Sequence, residues 1–238
     1  GATPIQNVGA YGQEVSQTIT RVRVYDRKTS EVLDIPAEQC GFGYRTSRFR
    51  SAVRFVVLSV TFALAVQVRS VPVRYAELAA ALGVRPGDQV ESAEARSAVI
   101  ELRRRKGMVI DPADPDTRSV GSFFVNPVLD GAALAVVEAA VRARCGADTR
   151  VPGFEVAGSA DGLVKVPAAW LIERAGFGPG YRQDDGARIS SKHTLALVNS
   201  GSASTAGLMA LAREIRDGVR DTFGVSLAPE PTLVGVAL

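Results

Sequence analysis

The stretch Gln17-Thr18-Ile19-Thr20-Arg21-Val22-Arg23-Val24-Tyr25 places β-branched side chains at the even positions and mostly charged or aromatic ones at the odd positions. Successive side chains of an extended chain point to opposite faces, so this alternation predicts a β-strand. Turn-forming residues follow at 26–30, and the run Glu31–Ile35 is stopped by Pro36, which predicts a returning antiparallel strand. Phe55–Val68 is uncharged and rich in β-branched residues. Its composition predicts a central strand buried on both faces.

From about residue 75 onward, apolar residues recur at helical spacing between recognisable start and stop signals. The predicted helices are Tyr75–Leu82 before Gly83, Ser92–Lys106 before Gly107, one capped by Asp130 and ended at Gly146, one that begins at Pro167, and one capped near Ser204 and ended at Gly224. Short strands are predicted at Ser122–Val125 and Thr194–Val198, and a proline-broken loop between two units at Asp111–Asp116. Together these elements indicate an α+β fold.

The composition limits the class of protein. With 238 residues, 46% of them hydrophobic, the chain can bury enough apolar surface for one large or two smaller domains. Its most apolar uncharged stretch, Phe55–Val68, is shorter than the roughly 18 residues that a transmembrane helix requires. Cys40 and Cys145 are too few for a disulfide framework, so we expect a reducing cytoplasm. Aromatic residues, at 6%, are sparse for a protein that stacks nucleic-acid bases, and we expect no nucleic-acid, membrane or protein partner.

The sequence contains no metal or nucleotide motif of a familiar kind. One histidine and two distant cysteines do not form a zinc pattern, and neither a Walker loop nor a dinucleotide-binding glycine fingerprint occurs. The basic run Arg103–Lys106 leaves two interpretations open. Arg103 and Lys106 share a helix face from which they could bind phosphates, or the run could stay solvated and complement the helix dipole.

Four further residues are uninformative when each is considered alone. Ser122 has no histidine near it in the sequence to activate it, and a lone histidine such as His193 is more often structural than catalytic. Glu230 stands between two prolines, where an acid is ordinarily part of a loop. Arg45 lies in a glycine-punctuated loop, and its planar guanidinium suits a carboxylate.

Five short blocks, taken in their order along the chain, are more specific than any one of them. They are Pro4-Ile5-Gln6-Asn7-Val8-Gly9-Ala10-Tyr11-Gly12, Phe42-Gly43-Tyr44-Arg45-Thr46-Ser47, Gly121-Ser122-Phe123-Phe124-Val125-Asn126-Pro127, Ala168-Ala169-Trp170-Leu171-Ile172 and Pro229-Glu230. This succession resembles the UDP-N-acetylenolpyruvoylglucosamine reductase (MurB) family, flavoproteins of bacterial cell-wall synthesis. The resemblance extends through essentially the whole chain.

The resemblance implies a division of the chain. Residues 1–106 would be the remainder of an FAD-binding region of the vanillyl-alcohol-oxidase-like type, and 107–223 an α+β substrate-binding domain. Residues 224–238 would return to the flavin side. In the family an amino-terminal flavin-binding lobe precedes the Pro4–Gly12 block, so we expect this chain to lack that lobe.

The resemblance also implies an NADPH- and FAD-dependent oxidoreductase that reduces UDP-N-acetylglucosamine enolpyruvate to UDP-N-acetylmuramate. Three matched residues would carry the chemistry at the flavin. Arg45 would bind the substrate carboxylate, Ser122 would protonate the α-carbon, and Glu230 would act with Arg45 at the reacting group. The flavin itself would perform the hydride transfer.

Binding residues follow from the same blocks and from the positions around them. Those implied to lie along FAD are Gln6, Asn7, Gly9 and Tyr11; those implied to contact the UDP-sugar are Tyr75, Arg103, Lys106, Asn126 and His193. Two other functions stay open at this point. The chain could be a non-catalytic nucleotide-sugar-binding module, or its basic run could bind nucleic acid with strongly salt-dependent affinity.

Overall fold

The computed structural model describes residues 2–50, 53–156, 162–182 and 186–238. They form two compact units, Gly1–Leu102 and Arg103–Leu238, called here the amino-terminal and carboxyl-terminal units. The helices in the described residues are α1 (Ala2–Ile5), α2 (Ala76–Leu82), α3 (Ser92–Arg105), α4 (Gly131–Cys145), α5 (Ala168–Arg174) and α6 (Thr205–Phe223). The strands are β1 (Gly9–Ala10), β2 (Gln13–Glu14), β3 (Ile19–Asp26), β4 (Glu31–Pro36), β5 (Phe55–Phe62), β6 (Ser119–Ser122), β7 (Val128–Leu129), β8 (Phe154–Glu155), β9 (Val164–Lys165), β10 (Ala187–Ile189) and β11 (Ala196–Asn199). This mixture confirms the α+β class.

An antiparallel sheet of order β4-β3-β5 organises the amino-terminal unit. Val22 and Val24 of β3 are fully buried in its core, as the alternation predicts. Ile19 is buried with them although it has the opposite parity. The pairing of β3 with β5 shifts between Ile19 and Arg21 and again between Arg23 and Val24. Such an irregularity changes which face a side chain occupies, so strict alternation does not hold along the whole strand.

The prediction for Phe55–Val68 is wrong in length and in position. The strand ends at Phe62, and β5 lies at the edge of the sheet because β3 occupies the centre. Beyond it, Leu64 and Val66 are exposed, the latter completely. Residues 68–73 instead exchange backbone hydrogen bonds with residues 87–92. An uncharged, β-branched composition reports strand tendency but not whether a second strand or layer covers it.

The predicted helices of the amino-terminal unit are confirmed. α2 ends at Gly83, whose φ of 67° lies in the left-handed region that glycine adopts without strain. α3 turns Ala95, Val99 and Leu102 toward a small core that also contains Leu78. Helical spacing of apolar residues is therefore sufficient to predict this part of the chain.

The carboxyl-terminal unit contains two antiparallel sheets, of order β10-β11-β6 and β7-β9-β8. The longest helix, α6, buries Leu211, Ile215 and Val219 completely at a spacing of four residues. Its start is fixed by Ser204, whose hydroxyl accepts a hydrogen bond from the amide of Gly207. Asp130 caps α4 in the same way through Ala133. Both caps confirm the sequence-based predictions.

Two strands of this unit lie a few residues away from their predicted positions. The predicted strand Ser122–Val125 is observed as Ser119–Ser122, because the residues after Ser122 pair with the carboxyl-terminal segment instead. The predicted strand Thr194–Val198 begins only at Ala196, because the preceding residues form a tight turn. No helix in the described part of the chain is both long enough and apolar enough to cross a membrane.

We predict that Asp26 makes the stability of the amino-terminal sheet depend on acid pH. This carboxylate is fully buried at the end of β3, and the Arg54 guanidinium, bonded to it at 2.9 and 3.0 Å through Nε, lowers the pKa of Asp26 from 3.8 to about 2. A depressed pKa means that the stabilisation is complete above about pH 4 and is lost as the pH falls through about 2. Asp26→Asn should therefore reduce hydrogen-exchange protection of Ile19–Asp26 at pH 7, and the difference from wild type should shrink toward pH 2.

A matched control is Asp34→Asn on the neighbouring strand. Asp34 forms ion pairs with Arg21 and Arg23 at 3.5 and 3.6 Å, but these pairs are open to solvent and contribute little. Equal loss of protection in the two variants at pH 7 would contradict the prediction.

Candidate functional site

The carboxyl-terminal segment pairs with the residues that follow Ser122. The amide of Val125 donates to the carbonyl of Ala228 at 3.0 Å, and the amide of Glu230 donates to the carbonyl of Phe123 at 2.7 Å. Phe124 and Pro229 form the bridge between them. The backbone of Glu230 is thereby held beside that of Phe123, so two predicted catalytic residues that are distant in sequence lie on paired segments.

His193 approaches the same serine from the turn before β11. Its Nε2 lies 3.4 Å from Ser122 Oγ. The sequence offered no histidine near Ser122, but antiparallel pairing of Ser122 with Ala196 places the turn before β11 beside the hydroxyl. Ser122 and His193 are therefore in contact, and the backbone of Glu230 is paired with the segment that follows Ser122.

A tight turn fixes the backbone of His193. The fully buried hydroxyl of Ser190 accepts hydrogen bonds from the amides of Lys192 at 3.1 Å and His193 at 3.3 Å. The turn closes where the amide of Ala196 donates to the carbonyl of His193 at 2.9 Å. The imidazole is thus presented by a backbone with little freedom to rotate.

Asn126 connects the Ser122 segment to a helix. Its Oδ1 accepts a hydrogen bond from the amide of Ala168, the first residue of α5, at 2.9 Å. This bond satisfies one of the amides that a helix leaves unpaired at its start. The Nδ2 end of the same side chain supplies hydrogen-bond donors, as the substrate contact implied by the resemblance requires.

The predicted phosphate ligands lie where α3 ends. The carbonyl of Arg103 accepts from the amides of Lys106 and Met108, and Arg103 Nη2 donates to the Met108 carbonyl at 3.4 Å. Arg103 therefore helps to close the helix end, in keeping with the helix-dipole interpretation. Lys106 stands next to Gly107, whose φ of 66° turns the chain against Asp116.

In the amino-terminal unit, Asn7 holds a loop together. It is almost fully buried, with 1% exposure, and its Nδ2 donates to Glu14 at 2.8 Å and to the Gly43 carbonyl at 2.9 Å. Its Oδ1 accepts from the amide of Ser16 at 3.1 Å. The side chain thus uses its polar atoms inside the protein, and Asn7 shapes the hairpin β1-β2 and the loop at residue 43.

Arg45 is fixed against the same hairpin. Its Nη2 donates to the carbonyl of Gly9 at 2.7 Å, and its guanidinium lies 5.3 Å from the Tyr44 ring centre. Arg45 has a φ of 52°, which is uncommon for a residue with a side chain. A Cβ on Gly9 would come within 2.9 Å of Arg45 Nη1. A side chain at position 9 would therefore force the guanidinium to shift.

Tyr11 and Tyr75 form an edge-to-face pair with ring centres 5.4 Å apart. Tyr11 sits in the hairpin turn with a φ of 52°, and Tyr75 is the residue before the first turn of α2. Gln6 ends the short helical turn at the start of the chain, through a bond from its amide to Ala2. The predicted flavin residues and Tyr75 thus lie in the same unit.

Sequence reasoning missed a buried polar network around Asp116. The sequence predicts Asp116 in a proline-broken loop between two units, but the residue is 3% exposed and forms an ion pair with Arg188 at 2.8 Å. Ser191 Oγ donates to the same carboxylate at 2.5 Å. The available signal was the Asp114-Pro115-Asp116 spacing, in which Asp114 caps the turn that carries Asp116. Among the described residues, no group of three potential metal-binding side chains occurs.

Comparison with known proteins connects this geometry to a family. Residues 111–234, more than half of the chain, match the family model for "UDP-N-acetylenolpyruvoylglucosamine reductase, C-terminal domain". Proteins of that name from Saccharopolyspora erythraea and Streptomyces avermitilis are 55% and 56% identical to this chain over 239 and 240 residues. The matches cover 100% of this chain and 64% and 65% of the two relatives. The chain therefore spans slightly less than two thirds of the length of these curated relatives.

A solved structure shares the fold. The crystal structure of UDP-N-acetylenolpyruvylglucosamine reductase (MurB) from Thermus caldophilus superposes with a TM-score of 0.53 at 20% identity. The alignment covers 97% of this chain and 58% of that one. At this identity the likeness concerns the fold alone.

We predict that Asn7→Ala loosens the hairpin without unfolding the rest of the chain. The change leaves the Ser16 amide and the Gly43 carbonyl without their partner, which costs about 1–3 kcal/mol for buried groups. Protection of the Ser16 amide in native-state hydrogen exchange, followed by NMR, measures that cost. The exposed neighbour Gln13→Ala should change it by less than about 0.5 kcal/mol. Unchanged protection of Ser16 in Asn7→Ala would show that the loop is held by other contacts.

Proposed function

Because this chain belongs to the UDP-N-acetylenolpyruvoylglucosamine reductase family, we propose that it forms part of an oxidoreductase of peptidoglycan precursor synthesis in the cytoplasm. The proposed reaction reduces the enolpyruvyl ether of UDP-N-acetylglucosamine to UDP-N-acetylmuramate. The observation that carries the proposal is the 3.4 Å approach of His193 Nε2 to Ser122 Oγ, on a strand whose continuation pairs with the segment of Glu230. A hydroxyl with an imidazole neighbour suits a proton-transfer step.

The chemistry explains why a hydroxyl is needed. Hydride addition to the methylene carbon of an enol ether leaves negative charge on the α-carbon, delocalised into the adjacent carboxylate. A proton donor must therefore stand at the α-carbon. We assign this role to Ser122: its proton passes to the α-carbon as the new C–H bond forms, and the oxygen is left as an alkoxide. His193 can stabilise that alkoxide when Nε2 carries a proton.

Arg45 and Glu230 are proposed to act at the reacting group. A guanidinium binds a carboxylate through two parallel hydrogen bonds, and Arg45 is already oriented by its bond to Gly9. The backbone amide of Glu230 donates a hydrogen bond to the carbonyl of Phe123. This bond holds the backbone of Glu230 in register with the Ser122 segment. Contacts formed before substrate binds support these roles, because electrostatic stabilisation of a transition state relies on groups that need not reorganise.

FAD and NADPH are the proposed cofactors. When bound, reduced FAD supplies the hydride. The residues assigned to it are Gln6, Asn7, Gly9 and Tyr11, which lie in the hairpin β1-β2 or just before it. This segment suits a rigid ring system because the bonds of Asn7 and Arg45 hold it in place. Since Asn7 is buried, we assign it to shaping this surface. The amino-terminal unit would then belong to a flavin-binding lobe of the vanillyl-alcohol-oxidase-like type.

The remaining assignments concern the UDP-sugar. Lys106 and Arg103 would bind its diphosphate, since ammonium and guanidinium groups favour phosphate oxygens. Asn126 and His193 would form hydrogen bonds with the sugar nucleotide. Tyr75 would cover the diphosphate, and its ring is 40% exposed and packed against Tyr11.

The test is substrate-dependent oxidation of NADPH by the complete protein, repeated with Ser122→Ala. We expect the variant to lose about 10²–10⁴-fold in turnover, the usual contribution of a positioned acid or base. Reduction of the flavin by NADPH alone, followed by the bleaching of its absorbance, should keep its rate because it precedes the proton transfer. The exposed hydroxyl variant Ser97→Ala is the matched control and should retain full turnover. Undiminished turnover in Ser122→Ala would remove the proposed donor.

A non-catalytic nucleotide-sugar-binding module is the alternative function. The family model falls entirely within the carboxyl-terminal unit, which has a hydrophobic core of its own. An absorbance scan separates the two functions. A yellow protein with flavin bands supports the reductase, and a colourless protein that still binds the UDP-sugar supports the module.

A further inference from the structure

The carboxylate of Asp116 is an unusual group to bury. It is 3% exposed and its partner Arg188 is 8% exposed, with 2.8 Å between Arg188 Nη1 and Asp116 Oδ1. Burial alone would raise the pKa of Asp116, but the hydrogen bonds from Ser191 and Arg188 outweigh it, and the pKa lies below its ordinary value. The group is therefore a charged one that the fold surrounds with donors. Buried charges of this kind are weak evidence for stability and are better explained by the geometry that they impose.

One face of Asp116 fixes the turn that carries His193. Ser191 Oγ donates to Asp116 Oδ2 at 2.5 Å, and the amide of Ser191 donates to Oδ1 at 3.4 Å. Ser191 stands two residues before His193 in the turn described above. A carboxylate that binds both the hydroxyl and the amide of one residue restricts its side chain and its backbone together. Displacement of Asp116 must therefore move the turn.

The other face of Asp116 supports the end of α3. A Cβ placed on Gly107 would lie 3.2 Å from Asp116 Cβ and 3.2 Å from its carbonyl oxygen, so the two backbones are already in contact. Gly107 directly follows Lys106. Asp116 thus contacts Gly107, next to the proposed diphosphate ligand Lys106. It also contacts the turn that carries His193.

The turn has a second anchor at its other end. Thr194 Oγ1 donates to the carboxylate of Glu173, which is part of α5. Thr194 is 4% exposed. Side chains on both sides of His193, Ser191 and Thr194, are therefore bound to carboxylates, of which that of Asp116 is buried. An arrangement with this many constraints on so short a turn determines where the imidazole lies.

We propose that Asp116, held by Arg188, is a positioning residue that keeps His193 against Ser122 and sets the distance from these groups to Lys106. This inference rests on the proposed function, because it concerns the proton-transfer step of the same site. Asp116 does not act on the substrate itself. Its effect on turnover passes through Ser191 to His193, so a variant of Asp116 should alter the environment of the imidazole as well as the rate.

The experiment compares Asp116→Asn with wild type in the complete protein. We expect kcat for substrate-dependent NADPH oxidation to fall at least about 10-fold, because small misplacements of catalytic groups are costly. The imidazole NMR signals of His193, identified by their disappearance in His193→Gln, should shift. Val137→Ala is the control: Val137 is buried in α4 of the same unit, and its loss should lower stability while it leaves both readouts unchanged below the unfolding temperature.

Two further outcomes keep the proposal decidable. If Asp116→Asn does not fold, Ser191→Ala replaces it, because this change removes the hydroxyl bond and retains the Asp116–Arg188 pair. A shift of the His193 signals with a smaller loss of kcat supports the proposal, and unchanged signals in the folded variant overturn it. If the wild-type protein oxidises no NADPH with substrate, the proposed function fails. The His193 signals still report whether Asp116 positions the turn.

Discussion

Two backbone hydrogen bonds determine the candidate site of the carboxyl-terminal unit, one from Val125 to Ala228 and one from Glu230 to Phe123. They align the last part of the chain with the continuation of β6. Phe124 is paired with Pro229, so the backbone of Glu230 lies opposite Phe123, the residue that follows Ser122. A shift of one residue in this register would change which residue of the Ser122 segment lies opposite Glu230, so the proposed site depends on these two bonds.

Signals that act within a few residues predicted the helices and the hairpin of β3 and β4. The rest of the fold depends on pairing between residues that are distant in sequence, which the sequence alone does not predict. The caps at Asp130 and Ser204 and the glycine after α2 act within a few residues, so the sequence predicts them directly. The edge position of β5 depends on which strand lies at the centre of the sheet. The approach of His193 to Ser122 depends on the pairing of β6 with β11. Resemblance named both residues, but neither composition nor spacing could bring them together.

Each unit contains a buried aspartate paired with an arginine, and the two pairs have different settings. Arg54 remains half exposed over the Phe55 ring, so the Asp26 pair reaches solvent at one end of a sheet. Arg188 is buried with Asp116, and the pair lies among the segments of the candidate site. The first pair fastens a strand end to the segment that leads into β5. The second connects several loops, which is why it can affect chemistry without contacting substrate.

The edge strand β5 has a consequence for handling the protein in solution. Val56, Leu58 and Phe62 are 39%, 52% and 42% exposed, and β3 is the neighbour to which β5 pairs among the described strands. A row of apolar side chains on a strand with one pairing partner among the described strands is a template on which another copy of the chain can add as a strand. A net charge of +3 on 238 residues provides little mutual repulsion. Concentrated samples should therefore aggregate first through this edge, and a lysine on it is the simplest remedy.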